Sequence, residues 1–81
     1  MVLPFMPSIT PIHWEKFEKF LLFVGCEFKR QKGDHRVYWR ADLKRPVILP
    51  TYKSVPVFII RNNLRVLGIG HNEYLEMLEK V

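Results

Sequence analysis

Apolar side chains recur at three- and four-residue spacing along the first third of the chain, as on one face of an α-helix. The positions that follow this spacing are Ile12, Phe17, Phe20, Leu21 and Val24. Thr10 followed by Pro11 is a typical helix start, and Gly25 can end a helix in the left-handed conformation. The pattern therefore predicts a first helix that begins near residue 10 and ends at Gly25.

The same spacing returns in the C-terminal part of the chain. From Val55 to Leu67 the apolar face is formed by Val57, Ile60, Leu64 and Leu67, and Gly68 marks the end. A shorter third helix is predicted from Asn72 to Lys80, with leucines packing inward and three glutamates facing solvent. The C-terminal third is therefore predicted to be helical.

Short runs typical of β-strands lie between the first two helices. They cover Cys26 to Gln31, His35 to Arg40 and Pro46 to Leu49. Gly33 supplies the positive φ that a tight hairpin between the first two strands needs. The order α-β-β-β-α(α) predicts an α+β fold in which helices cover one face of a three-stranded antiparallel sheet.

Alternation along the second strand divides its side chains between the two faces of the sheet. His35, Val37 and Trp39 share one face, and Arg36 and Tyr38 share the other. If Val37 and Trp39 face the helices, His35 lies at the rim of the covered face. Tyr38 is then the exposed aromatic of this strand.

The length of 81 residues leaves room for one domain. Residues 1–9 contain Pro4 and Pro7 and no helical period, so they are predicted to form an extended arm before a single domain at residues 10–81. The apolar run from Phe20 to Val24 is too short to span a bilayer, and no export signal is recognisable. With Cys26 as the only cysteine, no intramolecular disulfide is possible, and a reducing cytoplasm is the expected location.

Basic residues outnumber acidic ones, with a formal net charge of +5 and a pI near 9.7. Such a charge favours a polyanionic partner, and nucleic acid is the first candidate. A solvated basic surface without a partner is the simpler alternative. The cations concentrate in the predicted hairpin and the loop after it, at Lys29, Arg30, Lys32, Arg36, Lys44 and Arg45. This concentration favours contacts with phosphates.

His35 lies in the predicted hairpin turn among these cations. Metal-independent RNA cleavage uses the ribose 2′-hydroxyl as nucleophile, so the protein must supply a proton acceptor or donor and nearby positive charge. Histidine, with a usual pKa of about 6.5, exchanges protons near neutrality. His35 is therefore a candidate catalytic residue, and the alternative is a surface histidine in a polar turn. Tyr38, if exposed, is available to stack on a base.

Other catalytic classes find little support in the sequence. His13 and His71 have no second histidine or carboxylate at metal-ligand spacing, so both are interpreted as surface residues and no metal site is predicted. There is no phosphate-binding glycine loop and no arrangement typical of a hydrolase triad. No cofactor is therefore expected.

The order of elements resembles the double-stranded-RNA-binding fold, and a set of short motifs carries a closer resemblance. Gly25 ends the first helix, Arg30 precedes the turn, Gly33-Asp34-His35 takes the place of a Gly-Ser-His turn, and Tyr38 follows. The third strand closes as Val47-Ile48-Leu49-Pro50, and the segment from Leu64 to Ile69 matches a characteristic helix end. Over residues 8–81 the chain resembles the HicA (YcfA-like) family of messenger-RNA interferase toxins.

This resemblance implies a function and one catalytic residue. It implies an mRNA-cleaving toxin in which His35 is the histidine needed for cleavage, and which a HicB-type antitoxin neutralises. The hairpin, the cations in and after it and Tyr38, taken by themselves, predict the residues that contact RNA, which are Lys29, Arg30, Lys32, Gly33, Asp34, Arg36, Tyr38, Lys44 and Arg45. Two departures stand out, since Asp34 replaces the usual serine and Thr51-Tyr52 stand where many members have a histidine. Asp34 either orients the imidazole or repels the phosphate, and the sequence leaves both open.

Two non-catalytic hypotheses accompany this interpretation. In the first, the domain binds double-stranded RNA without cutting it; dedicated binders carry a lysine cluster at the start of the second helix, whereas this chain offers only Lys53. In the second, the domain binds another protein through Trp14, Phe23 and the N-terminal arm. RNA preference and the stoichiometry with an antitoxin are not encoded in any recognisable pattern.

Overall fold

The structure, a computed structural model, describes residues 8–81 and has an α+β architecture. Its elements are α1 (Trp14–Phe23), β1 (Glu27–Lys32), β2 (His35–Trp39), β3 (Val47–Pro50), α2 (Val57–Leu67) and α3 (His71–Leu78). The strands form one antiparallel sheet in the order β1-β2-β3. This confirms the predicted fold class. Most of the predicted arm, 1–9, lies outside the described residues, but Ile9 is buried in the core.

The predicted starts of the first two helices are wrong for one shared reason. Ile12 and Val55 form an isolated antiparallel bridge, in which the Val55 amide donates to the Ile12 carbonyl at 2.7 Å. A residue in extended conformation cannot continue a helix, so α1 and α2 begin two residues after the bridge, at Trp14 and Val57. A long-range pairing of this kind has no signature in local sequence periodicity.

The ends of these helices are capped by local interactions. His13 is the N-cap of α1, and its Nδ1 accepts a hydrogen bond from the Glu15 amide at 3.2 Å. Gly25, just beyond α1, and Gly68, at the end of α2, adopt positive φ values of 91° and 70°. These values confirm the predicted glycine stops, because other residues rarely adopt this conformation.

Tyr38 is fully buried, with 0% of its surface exposed, so its assignment as an exposed aromatic is wrong. The side chains of β2 alternate between the two faces as predicted, but the face predicted to be exposed is the one turned toward the helices. The face of Arg36 and Tyr38 is turned toward α1, and their partners Leu49 and Val47 in β3 are buried beside them. His35 and Val37 therefore lie on the opposite side, which we call the outer face of the sheet.

A cluster of hydrogen-bonded polar side chains explains why the face of Arg36 and Tyr38 is turned inward. Glu18 of α1 accepts a hydrogen bond from the Tyr38 hydroxyl and another from Arg36 Nη2 at 2.8 Å. Arg36 Nε also donates to the Tyr38 oxygen at 2.9 Å. Burial and the hydrogen bond to Glu18 raise the pKa of Tyr38 to about 12. The polar ends of an inward-facing tyrosine and arginine are thereby paired, which removes most of the cost of burying them.

A β-bulge at Lys29 sets which cations of β1 reach the outer face. Phe28 pairs with Tyr38, but the next paired residue of β1 is Arg30, opposite Val37. In a regular ladder Arg30 would have stood opposite Arg36 and faced inward. The extra residue Lys29 shifts the register by one, so Arg30 shares the outer face with Val37.

Arg40 joins the C-terminal ends of two helices. Its guanidinium donates to the carbonyl of Val24 at 2.9 Å and to that of Leu67 at 3.2 Å, and it forms an ion pair with Asp42. These carbonyls lie at the ends of α1 and α2, where backbone acceptors lack helical partners. The interaction fixes both helices to the end of β2.

The core lies between the inner face of the sheet and the three helices. Besides Tyr38, the fully buried large side chains include Phe17, Phe20, Leu49 and Tyr74. The Tyr74 ring packs edge-on against Phe20, with 4.9 Å between the ring centroids. Its hydroxyl is buried and has no hydrogen-bond partner within residues 8–81.

Removing the hydroxyl group from each of the two buried tyrosines is expected to change the free energy of unfolding in opposite directions. Tyr74→Phe removes an unpaired buried hydroxyl, so we expect the free energy of unfolding to rise by about 1 kcal/mol. Tyr38→Phe removes the partner of Glu18 and Arg36, so we expect a decrease of about 1 to 3 kcal/mol. Urea unfolding of both variants beside the wild type measures these changes. A stability loss in Tyr74→Phe equal to that in Tyr38→Phe would contradict the assignment.

The dependence of stability on alkaline pH is a second test of the burial of the Tyr74 hydroxyl. Burial raises the pKa of Tyr74 to about 12, whereas an unfolded tyrosine titrates near 10. Above pH 10 the unfolded chain therefore releases this proton first, and the stabilisation present below pH 10 is lost as the pH rises toward 12. We expect wild-type stability to fall in this window by about 2 kcal/mol more than that of Tyr74→Phe. Unfolding curves at pH 9 and 11.5 test this, and a pH-independent difference would refute it.

Candidate active site

His35 is the first residue of β2, directly after a two-residue turn. Gly33 occupies the first turn position with a φ of 60°, as the predicted hairpin required. The Asp34 carbonyl accepts hydrogen bonds from the amide and hydroxyl of Thr51, at 2.8 and 3.2 Å. Gln31 Nε2 donates to the Gly33 carbonyl at 2.9 Å. The turn that presents His35 is thus held from both neighbouring strands.

Asp34 contacts the imidazole of His35 directly. Its Oδ1 lies 2.9 Å from His35 Nδ1, and both side chains are about half exposed. A carboxylate beside Nδ1 favours the tautomer with its proton on that nitrogen. Nε2 is then the nitrogen available for proton transfer with a bound molecule. Of the two roles left open by the sequence, this geometry matches orientation of the imidazole.

A basic groove runs over the outer face of the sheet. It has a volume of about 640 Å³ and is lined by Arg30, Lys32, His35, Val37 and Ile48. These residues come from all three strands and share the outer face through the register that the bulge sets. The two cations flank His35 on the β1 side.

A second groove adjoins His35 on the β3 side, between β3 and α2. It has a volume of about 420 Å³, and its lining residues are His35, Arg45, Pro46, Ile48, Pro50, Phe58, Ile59, Asn62, Asn63 and Val66. We call it the β3–α2 groove. His35 and Ile48 line both grooves. The imidazole therefore stands between a basic surface and a largely apolar one.

The charges around His35 are positive, apart from its own aspartate. Arg30 and Lys32 line the basic groove and Arg45 lines the β3–α2 groove. Among the described residues, no carboxylate lines either groove. An anion placed at His35 would therefore meet Arg30 and Lys32 on the β1 side and a single carboxylate, that of Asp34, which is already in contact with Nδ1; Arg45 lies at the far end of the β3–α2 groove, because His35 pairs with Pro50 at the other end of β3.

The other predicted RNA contacts are not gathered at His35. Lys29 is the bulge residue, forms an ion pair with Glu27 at 2.9 Å and lines a different groove beside Trp39. Lys44 lines a groove near the end of α2. Arg36 is bound to Glu18 on the inner face. Tyr38, buried on the same side, cannot stack on a base, so that assignment is wrong.

Sequence reasoning missed the α2 side of the site. Phe58 is 71% exposed, and Asn62 lies one turn further along the helix and is exposed as well. Both line the β3–α2 groove. The available signal was Phe58 itself, a large apolar side chain in the first turn of α2 that does not belong to the buried face of that helix.

Other chemistry is poorly represented. No group of three or more histidine, cysteine, aspartate or glutamate side chains within residues 8–81 is arranged to hold a metal ion. Cys26 is buried, and burial raises the pKa of its thiol, so it is a poor nucleophile. None of the helices in this part of the chain is long and apolar enough to cross a membrane.

A protein-family model described as "HicA toxin of bacterial toxin-antitoxin" matches residues 14–69. The match covers more than half of the chain, from the start of α1 to just beyond α2. The chain belongs to the HicA toxin family. No curated protein and no solved structure matches it.

Membership of the HicA family assigns the chain to the toxins of toxin-antitoxin systems. The matched span contains the hairpin with His35, the bulge and both grooves. It does not include α3, which packs against α1 and adds Tyr74 to the core. The site described above is thus contained within the HicA region of the chain.

Replacing Asp34 tests its influence on the imidazole. In Asp34→Ser, which restores the Gly-Ser-His form of the turn, we expect the neutral His35 to lose its preference for a proton on Nδ1, because the adjacent carboxylate is gone. Two-bond ¹H–¹⁵N NMR spectra of the imidazole report the tautomer, and His71 serves as the internal control. An unchanged His35 tautomer would show that Asp34 does not orient the ring.

Proposed function

We propose that this HicA-family chain is a metal-independent endoribonuclease that cleaves mRNA in the cytoplasm, with His35 as its single catalytic histidine. The observation that carries the proposal is the position of His35 between two grooves that hold Arg30, Lys32 and Arg45 and no carboxylate. This arrangement suits a phosphodiester bound with its reacting atoms at the imidazole. Family membership supports the substrate class.

The proposed reaction uses the nucleophile that RNA carries. The 2′-oxygen attacks the adjacent phosphorus, the bond from phosphorus to the 5′-oxygen breaks, and the products are a 2′,3′-cyclic phosphate and a 5′-hydroxyl. Nε2 of His35 exchanges the proton that moves, either accepting it from the 2′-hydroxyl or donating it to the leaving 5′-oxygen. DNA lacks the 2′-hydroxyl and is not a substrate.

The cations have a separate role in this scheme. Negative charge increases on the phosphate oxygens in the transition state, and fixed positive charges nearby stabilise it. Arg30 and Lys32 line the basic groove on the β1 side of His35, whereas Arg45 lies at the far end of the β3–α2 groove, before the end of β3 that is remote from His35. Arg30 can bind two oxygens of the scissile phosphate through its guanidinium fork, whereas Lys32 acts as a point charge.

We also propose that a HicB-type antitoxin neutralises this toxin by covering the outer face of the sheet. A partner that buries His35 together with Arg30 and Lys32 would block access to the scissile phosphate. Such a partner is expected to present an acidic surface, and association is expected to be faster at low salt. The same charges then serve RNA and antitoxin in turn.

Cleavage assays with two histidine variants test the proposal. Wild type, His35→Ala and His71→Ala are incubated with a single-stranded mRNA in EDTA, and the product ends are analysed. We expect His35→Ala to lose at least 100-fold in rate, because general acid–base catalysis contributes about that much or more. We expect His71→Ala, whose side chain lines a different groove, to cut like the wild type.

The product ends and the controls make the result decisive. Cyclic 2′,3′-phosphate or 3′-phosphate ends, lost only in folded His35→Ala, support the proposed mechanism. Cleavage by His35→Ala at the wild-type rate refutes the catalytic role. If all three folded proteins bind RNA but leave it intact in EDTA, the chain is a binding module.

A further inference from the structure

We infer that the β3–α2 groove is a nucleobase-binding subsite, in which Phe58 stacks on the base next to the scissile phosphate and Asn62 contacts its edge. This inference rests on the proposed function and adds to it a site for substrate selection. It predicts that the substrate is single-stranded, because a base held in a duplex cannot enter a pocket in this way.

The position of the groove is the first argument. It shares His35 and Ile48 with the basic groove, so the two form adjoining parts of one surface. A phosphate held at His35 by the cations of β1 leaves the attached nucleoside within reach of the β3 side. The volume of about 420 Å³ is in the range of about 300 to 1,000 Å³ typical of small-ligand pockets, which is ample for one nucleoside.

The residues that line the β3–α2 groove also suit a nucleobase. Phe58 is 71% exposed, more than the other large apolar side chains of the described chain, and it flanks a groove that also contains Pro50 and Val66. Single-stranded RNA is bound in this manner, with bases stacked on aromatic rings in a groove that also carries positive charge. Arg45, which lines the groove, supplies that charge.

The polar groups give the groove a means of selection. The Asn62 amide is exposed, makes no hydrogen bond to another described side chain and offers both a donor and an acceptor. Asn63, by contrast, donates to the Ile48 carbonyl at 3.0 Å and is buried, so it holds the wall of the groove in place. Of the two amides, Asn62 is the one available to read a base edge.

A nucleobase suits this lining better than a protein side chain does. Apart from His35, Arg45 is the only ionisable residue that lines the β3–α2 groove, and the groove adjoins the basic groove of the outer face at His35 and Ile48. An occupant with one flat apolar part and one anionic part matches both halves of the surface. A nucleotide has this composition, and the phosphate side is the one that meets His35.

Binding to an uncleavable RNA tests the inference apart from catalysis. Short 2′-O-methyl oligonucleotides, identical except for the base at one position, are titrated onto wild type, Phe58→Ala, Asn62→Ala and Phe23→Ala. Phe23→Ala is the matched control, because Phe23 is also exposed, at 51%, but lies on α1 outside both grooves. These substitutions are at exposed positions, and circular dichroism verifies that each variant is folded.

We expect Phe58→Ala to weaken binding about tenfold for every base, because base–aromatic stacking is lost. We expect Asn62→Ala to reduce the difference in affinity between bases, and Phe23→Ala to behave like the wild type. Unchanged affinity and unchanged base preference in both groove variants would overturn the inference. Loss of antitoxin binding by Phe58→Ala with RNA binding intact would also overturn it and assign the groove to the protein partner.

The binding titration gives a result whether or not the chain cuts RNA, so failure of the base subsite and failure of the nuclease proposal can be told apart. If the wild type cleaves mRNA through His35 but the groove variants bind all four oligonucleotides normally, the proposed function stands and the base subsite is refuted. If the wild type does not cleave but Phe58→Ala loses affinity, the groove binds a base but not beside a scissile phosphate, and the nuclease proposal fails.

Discussion

The pairing of Glu18 with Tyr38 and Arg36 is the interaction on which the rest of this structure depends. It fixes which face of β2 is turned toward the helices, because it gives two polar side chains of that face partners on α1. Because side chains alternate along a strand, this also fixes His35 on the outer face, away from the core. The buried cluster thus determines the exposure of the candidate catalytic residue, although none of its members belongs to the grooves around His35.

Two features of the hairpin then complete the site. The bulge at Lys29 brings Arg30 to the outer face, and the turn at Gly33 and Asp34 positions the imidazole at the point where the two grooves meet. Thr51 holds that turn through the Asp34 carbonyl, so a residue that departs from the usual family pattern acts here as a structural support. In this chain, whose turn carries aspartate in place of serine, the carboxylate contacts His35 Nδ1 and leaves Nε2 as the nitrogen available to exchange a proton.

Much of the fold could be predicted from the sequence, because helical spacing, glycine stops and strand alternation are local signals. The turn at Gly33 and the stops at Gly25 and Gly68 were recognisable for this reason. The bridge between Ile12 and Val55, the inward orientation of Tyr38 and the bulge at Lys29 were not, since each depends on contacts between different elements of the fold. The candidate site followed the same division. His35 and its cations could be selected by residue type, whereas only the sheet register shows that Arg30 and Lys32 stand beside His35 while Lys29, Arg36, Lys44 and Arg45 lie elsewhere.

The central claim is that RNA binds across the outer face, with His35 between the basic groove and the β3–α2 groove. The most direct measurement is an NMR titration of the ¹⁵N-labelled chain with a 2′-O-methyl oligoribonucleotide, which binds without being cut. The account predicts that the largest shifts fall on Lys32, His35 and Ile48 and continue onto the first turns of α2, while α1 stays unchanged. Shifts confined to α1 and its exposed Phe23, with His35 unaffected, would contradict it.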